Sequence, residues 1–302
     1  MDHVQHIPVL LEEVREFMHA EAGGVYVDGT LGHGGHTEML LKDSAPDGVV
    51  VGIELDSRNM EIAKERLQSF GDRVKFVLGS YSDLKAHLDD LDIKEVDGIL
   101  LDVGFSSSHV DDPIRGFSFM KEGPLDMRYD SDQELSAAVV VNSWPEAKLA
   151  EAFLLYGEER QAHKIANVIV KRRREKRFRT TTDLSETIAS ALGRRGKIHP
   201  ATRVFQALRI VVNDELGSLK AVLPDAVQVL KEGGHICVIA FHSLEDRIVK
   251  KYMRGSTDIE VLTKRPIVPT EEEQKNNPRA RSAKLRVAKK QKSNENYQKN
   301  KT

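Results

Sequence analysis

The sequence predicts an α/β fold, a doubly wound parallel sheet carrying an inserted all-helical domain. Three observations predict it. A short apolar strand, Val25-Tyr26-Val27-Asp28, runs straight into a glycine-rich turn, Gly29-Thr30-Leu31-Gly32-His33-Gly34-Gly35. Further apolar runs at 49–54, 74–78 and 96–104 then alternate with amphipathic stretches, the pattern of strands joined by crossover helices. Beyond Gly104 the alternation stops, and it resumes only at His235-Ile236-Cys237-Val238-Ile239-Ala240-Phe241.

Taken in order, Pro8 to Met18 reads as a helix, with Pro8 suited to the first turn and Val9, Leu10, Val14 and Phe17 apolar. After the glycine turn an amphipathic run carries Thr37, Met39, Leu40 and Leu41. Val49-Val50-Val51-Gly52-Ile53 is a second strand ending in Glu54, and Ser57 is placed to cap a helix bearing Met60, Ala63, Leu67 and Phe70, closed by Gly71. Val74 to Leu78 is a third strand, with Tyr81 in the loop behind it. Val96 to Gly104 is a fourth, ending at Asp102 and followed by Phe105-Ser106-Ser107-Ser108-His109.

From Ser143 the spacing is helical. One helix runs from Pro145 to Tyr156, closed by Gly157, and another from Glu158 to about Lys176. A third starts near Asp183 with Glu186 three residues on, and a fourth spans Pro200 to Leu216, continuing to Leu230 with a kink at Pro224. A helical block between two strands of one sheet reads as an insertion. The expected domains are therefore residues 1–107 with 213–290 for the sheet and 108–212 for the helical, substrate-reading insert. A helix over 244–253, a strand at 259–262, a loop over 266–278 and a strand at 284–288 follow. Residues 291–302 contain almost nothing apolar and read as a disordered basic tail.

The chain has 302 residues, 40% of them hydrophobic and 30% charged, enough for a sizeable core in a soluble protein. No window suits a membrane span, the start lacks a signal peptide's basic and apolar regions, and one cysteine allows no internal disulfide, so a cytoplasmic location is expected. Net charge is −2, yet Lys171, Arg172, Arg173, Arg174 and Arg177 form one basic run and Arg279, Arg281, Lys284 and Arg286 another. Two local clusters on a near-neutral chain point to a polyanion met by particular faces.

A glycine turn between strand and helix, with an acid about 20 residues on, is the frame that holds a nucleoside by its ribose. A dinucleotide would set its pyrophosphate against Asp28, a like charge. S-adenosylmethionine carries a sulfonium and an ammonium instead, and an acid at the lip of the turn suits it. Ligands of doubly wound sheets lie beyond the strands' carboxyl ends, so Gly34, Glu54, Tyr81, Asp102 and His109 are expected around one crevice. His33 and His36 lack the cysteine or carboxylate cluster that would complete a metal site, and no metal is expected.

Ordered motifs then carry a family resemblance. Besides the glycine turn they include Asp97-Gly98-Ile99-Leu100-Leu101-Asp102, Arg115-Gly116-Phe117-Ser118-Phe119, Gly123-Pro124-Leu125-Asp126-Met127-Arg128, Tyr156-Gly157-Glu158-Glu159-Arg160, His199-Pro200-Ala201-Thr202-Arg203 and Phe241-His242-Ser243-Leu244-Glu245. Together they resemble the bacterial 16S ribosomal RNA cytosine-N4 methyltransferases, the small-subunit methyltransferase H family. The resemblance implies a class I (Rossmann-like) methyltransferase sheet with a helical insertion. It implies S-adenosyl-L-methionine as donor, and a cytidine of the decoding region (cytidine 1402 in usual 16S numbering) as target. It places donor contacts on Gly34, Gly35, His36, Glu54, Tyr81, Asp102 and His109, to which the reading of the glycine turn adds Asp28. Glu54, Tyr81 and His109 stand where the family usually has Asp, Phe and Gln.

For the chemistry, Asp102 is expected to orient the donor and Ser106 or Ser107 to lie beside the base, with Asp126 and His242 as further candidates. The two basic runs are expected to hold phosphates. The partner implied is 16S ribosomal RNA, within the small subunit, with a homodimer left open and no membrane. Alternative readings are a methyltransferase for another nucleic-acid or protein amine, a ribosome-assembly protein that has lost catalysis, and a nicotinamide oxidoreductase.

Overall fold

The computed structural model describes residues 8–104, 107–193 and 199–292. It divides into two compact units, Met1–Gly104 with Leu216–Thr302, and Phe105–Glu215. The sequence placed the seams at 107/108 and 212/213. The second seam falls later because α10 (Thr202–Asn213) runs to Asn213 and the chain turns at Asp214, which is left-handed with φ 45. Pro224, the expected kink, stays inside the next helix. The expected tail lies, from residue 293 on, outside the described residues.

The chain opens with α1 (Leu11–Met18), β1 (Val25–Asp28), α2 (Gly35–Asp43), β2 (Val49–Glu54), α3 (Ser57–Leu67), β3 (Val74–Leu78), α4 (Leu84–Asp90) and β4 (Val96–Asp102). The helical unit holds α5 (Ser107–Asp111), α6 (Ala137–Ser143), α7 (Glu146–Gly157), α8 (Ala162–Glu175), α9 (Thr181–Leu192) and α10. Then come α11 (Glu215–Val229), β5 (Leu230–Ala240), α12 (Ser243–Gly255), β6 (Ile259–Val261), α13 (Glu271–Asn276) and β7 (Lys284–Lys290). Among the described residues no helix is long and apolar enough to cross a membrane.

The sheet has the order β3-β2-β1-β4-β5-β7-β6, parallel from β3 to β5 and antiparallel where β7 meets β5 and β6. Both faces are covered, which is why the central strands read as continuous apolar runs. Val27, Val51, Ile53, Ile99 and Leu101 pack with Leu219, Val222 and Leu223 of α11. Alternate residues, Tyr26, Val50, Leu100, Cys237 and Ile239, pack with Val14 of α1, Leu40 of α2 and Met60 and Ala63 of α3. The buried thiol of Cys237 belongs to that second layer.

Several helix ends differ from the expectation, each for a local reason. α1 starts at Leu11 because buried Leu10 is left-handed (φ 54), its N–H bonded to Glu273 Oε1 at 2.8 Å. The cap of α3 is Asp56, whose carboxylate accepts from Arg58 N, and not Ser57. The acidic stretch after Tyr81 folds as α4 by burying Leu84 and Leu88, and Thr270 caps α13 within the expected loop.

In the helical unit, Phe153, Ile165, Ile169, Phe178, Leu184 and Leu208 form the core. α7 ends at left-handed Glu158 (φ 48), which delays α8 to Ala162. Gly157 serves packing instead, since a Cβ there would sit 2.5 Å from the Arg203 carbonyl of α10. The cap of α9 is Thr180, which accepts from Asp183 N, so Asp183 lies in the first turn.

Candidate functional site

Strand register explains how the site is assembled. Asp28 lies level with Gly52 of β2 and Leu100 of β4, so Glu54 and Asp102 extend two residues past it on either side. All three share the sheet face of Val50 and Leu100. β1 stops early, and the glycine turn fills the space its next residues would have taken. β1 is also where the strand order reverses, from β2 and β3 on one side to β4 and β5 on the other, the point at which such sheets take ligands.

The turn is tied to both neighbours by backbone bonds, Gly29 N to the Leu100 carbonyl and Leu31 N to the Ile53 carbonyl, each 2.9 Å. Gly34 caps α2 with φ 77, and a Cβ there would meet Leu67 Cδ1 at 2.9 Å, so the position needs glycine on two counts. Asp28, 1% exposed, accepts from Thr37 Oγ1 at 2.8 Å and Thr30 N at 3.2 Å. Glu54 accepts from Gly32 N at 2.9 Å through Oε2 and from Asp56 N at 2.8 Å through Oε1, with a further backbone bond from Leu55.

Asp102 is held differently. Its N–H donates to Thr30 Oγ1 at 2.6 Å, and Oδ2 lies 3.8 Å from His36 Nε2. Oδ1 is buried with no hydrogen-bond partner among the described residues. Burial, with Asp28 and Glu245 adding like charge, pushes its carboxyl up to about 8. Burial likewise raises Glu54 to about 7 and, against the bonds from Thr37 and Thr30, Asp28 to about 6. Three carboxylates raised together fit a cation, whose charge favours their ionised forms.

Tyr81, half-buried, follows β3 on a 3₁₀ turn, and its Cβ would touch a Cβ placed on Gly29 at 3.5 Å. At the end of β5, Glu245 accepts from the N–H groups of Phe241 and His242 at 2.8 and 3.1 Å. His242 is the cap of α12, with Nδ1 accepting from Glu245 N and Nε2 3.0 Å from Glu245 Oε1. Its Nδ1 is thus engaged in starting the helix, while Nε2 is buried without a hydrogen bond among the described residues. Gly35 opens α2, where a Cβ would meet Pro8 Cγ at 2.4 Å.

The structure gathers Asp28, Gly34, Gly35, His36, Glu54, Tyr81 and Asp102 in the sheet unit. Apart from His242, the other donor and catalytic candidates belong to the helical unit or lie outside the described residues. Ser106 lies outside the described residues, as does the side chain of Ser107. His109 belongs to the helical unit, 4% exposed, its ring centroid 4.9 Å from those of both Phe117 and Tyr129, which stack on each other at 5.4 Å. Asp126, in the same unit, is clasped by Arg128 at 2.8 and 2.9 Å. Burial would raise its carboxyl, but the Arg128 bonds outweigh that and hold it below the ordinary range, so it is a fixed anion.

Of the first basic run, Arg172 bonds the Lys176 carbonyl and Asp183, and Arg173 bonds the Val141 carbonyl, so both act in structure. Lys171, Arg174 and Arg177 are exposed. Of the second, Arg279 and Arg281 are exposed, while Arg286 is 5% exposed and paired with Asp246 at 2.6 Å. Arg279 lies near enough to the glycine turn to assist burial and Arg66 in holding His33 below its ordinary value, against a bond to Asn59. Sequence reasoning missed Thr30, Thr37 and Glu245 as holders of the site. The only signal for the last was its place three residues after a helix cap.

Known proteins resemble the chain along most of its length. A family model described as the MraW methylase family matches residues 3–291. A protein named ribosomal RNA small subunit methyltransferase H from a Nostoc species is 49% identical over 289 residues, covering 95% of this chain and 93% of that protein. Proteins of the same name from Carboxydothermus hydrogenoformans and Desulfotalea psychrophila are 48% and 46% identical, each over 94% of this chain and 97% and 98% of theirs.

Proposed function

The chain belongs to the MraW methylase family, and from that premise we propose that it transfers a methyl group from S-adenosylmethionine to the N4 amine of a decoding-region cytidine in small-subunit ribosomal RNA. The observation that carries the reading is the trio Asp28, Glu54 and Asp102 around the glycine turn, each raised by burial. A pyrophosphate among them would add like charge. A sulfonium compound with a free ammonium relieves it, and Asp102 Oδ1, buried with no hydrogen-bond partner among the described residues, is an acceptor that such a cation would satisfy.

The residues fit that donor. Glu54, held by backbone amides at the tip of β2, accepts from the ribose hydroxyls, and Tyr81 offers an aromatic face to the adenine. Asp102 holds the donor's cationic end, its backbone amide tied to Thr30 Oγ1, while Thr37 fixes the Asp28 carboxylate. The donor supplies an electrophilic methyl on a positive sulfur whose charge dissipates as the methyl leaves, so the site needs no acid for the leaving group.

The difficulty is the acceptor, because the N4 lone pair is delocalised into the cytosine ring. Ser106 or Ser107, following β4 in the chain, is assigned to restrain that amine. Orientation of this kind contributes on the order of 7–11 kcal/mol, well beyond what a proton acceptor adds. The N4 proton becomes acidic once the methyl is attached and leaves to water.

The test is methylation of small subunits from a strain lacking the enzyme, using labelled donor and nucleoside analysis. Label in N4-methylcytidine is expected, and label in any other nucleoside would overturn the assignment.

A further inference from the structure

Within the helical unit, two segments far apart in sequence are zipped together. Pro124 bridges Thr180 in antiparallel fashion, Leu125 N bonds the Arg179 carbonyl, and Thr181 N bonds the Gly123 carbonyl, both at 2.9 Å. Thr181 Oγ1, wholly buried, adds a bond to the Lys121 carbonyl at 3.0 Å. A third turn, Pro113–Arg115, is pressed onto this ladder, for a Cβ on Gly123 would fall 1.8 Å from the Pro113 carbonyl. That turn is itself pinned by Ile114 N to Asp112 at 3.0 Å and by Met127 N to the Arg115 carbonyl at 3.0 Å.

This well-bonded backbone turns two apolar side chains outward, Met120 at 79% and Ile114 at 66% exposure. The same ladder carries exposed Lys121, Arg177 and Arg179 against one exposed acid, Glu122, while Asp126 is neutralised by Arg128. Single apolar groups interleaved with cations do not make the broad apolar patch of a protein contact. They match what a bent or opened nucleic-acid strand needs, cations for phosphates and a wedge between bases. A wedge must also be held rigidly, since opening a stacked step costs a few kcal/mol that a mobile loop would give back.

We propose that the ladder of 120–126 and 177–181 with the 113–115 turn is an RNA-docking surface, on which Lys121, Arg177 and Arg179 take phosphates while Ile114 and Met120 enter the base stack. The proposal rests on the reading of the chain as an RNA methyltransferase, and extends it by naming the surface that opens the strand.

The full-length protein is titrated onto a decoding-region RNA hairpin carrying 2-aminopurine beside the target cytidine. Three proteins are compared, the parent, Ile114→Ser with Met120→Ser, and Arg177→Ala with Arg179→Ala. Both pairs are exposed, so neither change disturbs the core. The parent raises 2-aminopurine fluorescence on binding. The apolar variant binds with an unchanged salt slope but loses at least half of that rise and about 10-fold in methyl transfer, the scale of one lost base contact. The arginine variant keeps the rise at saturation while its log–log salt slope falls by about 1.4, two single-strand phosphate contacts. A full rise from the apolar variant overturns the proposal. So does loss of binding to assembled subunits with hairpin binding intact, which assigns the surface to a protein partner. A parent that opens the hairpin yet transfers no methyl leaves this surface supported and sinks the functional reading alone.

Discussion

Asp102 concentrates the site's electrostatics in one side chain. Its carboxyl stands at about 8 because burial and two neighbouring acids disfavour the anion, and Asp28 and Glu54 follow at about 6 and 7. In the unfolded chain all three return to about 4. Between pH 4 and 8 the folded protein therefore binds more protons than the unfolded one, so donor-free stability falls as pH rises through that window and levels above it. A cationic donor draws the carboxylates to their ionised forms. Donor binding should thus release protons at pH 6–8, and donor affinity should rise with pH across that range. Calorimetry in buffers of differing ionisation enthalpy reads the release directly, and proton uptake would contradict the assignment.

Asp102→Asn separates the charge from the shape. The amide resembles the protonated acid and does not titrate, so donor-free melting should match the parent below about pH 4 and exceed it as pH rises from about 4 to 8, where the parent alone loses stability through this group. Losing a charge-assisted contact of about 1.5–3 kcal/mol should weaken donor binding roughly 10- to 100-fold. Proton release should shrink with it. Unchanged donor affinity in this variant would remove Asp102 from the donor site.

At the scale of elements, helix ends are where small groups decide geometry. Thr180→Ala deletes the cap of α9 and should cost about 1 kcal/mol in denaturant unfolding. Gly157→Ala drives a Cβ against the Arg203 carbonyl, with backbone on one side and a helix on the other, and should cost about 1–3 kcal/mol. A neutral Gly157→Ala would mean that α7 and α10 separate without penalty. The central strands were legible because burial on both faces leaves unbroken apolar runs, and Glu54 and Asp102 were legible because those runs end in acids. The left-handed turns at Leu10, Glu158 and Asp214 were not, since the local residues do not demand them and tertiary packing does. Thr30 and Thr37 were missed for a related reason. Thr30 lies 72 residues from the Asp102 amide it binds, a distance no periodicity reports.

For the whole molecule, a net charge of −2 offers a polyanion no general attraction, so RNA binding must come from local cations. Lys171, Arg174, Lys176, Arg177 and Arg179 are exposed along one run. If these five meet single-strand phosphates, each adds about 0.7 to the log–log salt slope, and raising salt from 50 to 200 mM should weaken RNA binding on the order of 100-fold. The donor should behave oppositely. Its carboxylates are buried at the strand tips, where salt screens little, and its affinity should change less than about 2-fold over the same range. Measuring both affinities on one preparation sets the two sites apart. A flat RNA response would take the basic run out of the interface. A steep donor response would move the cation to an exposed surface, away from Asp28, Glu54 and Asp102.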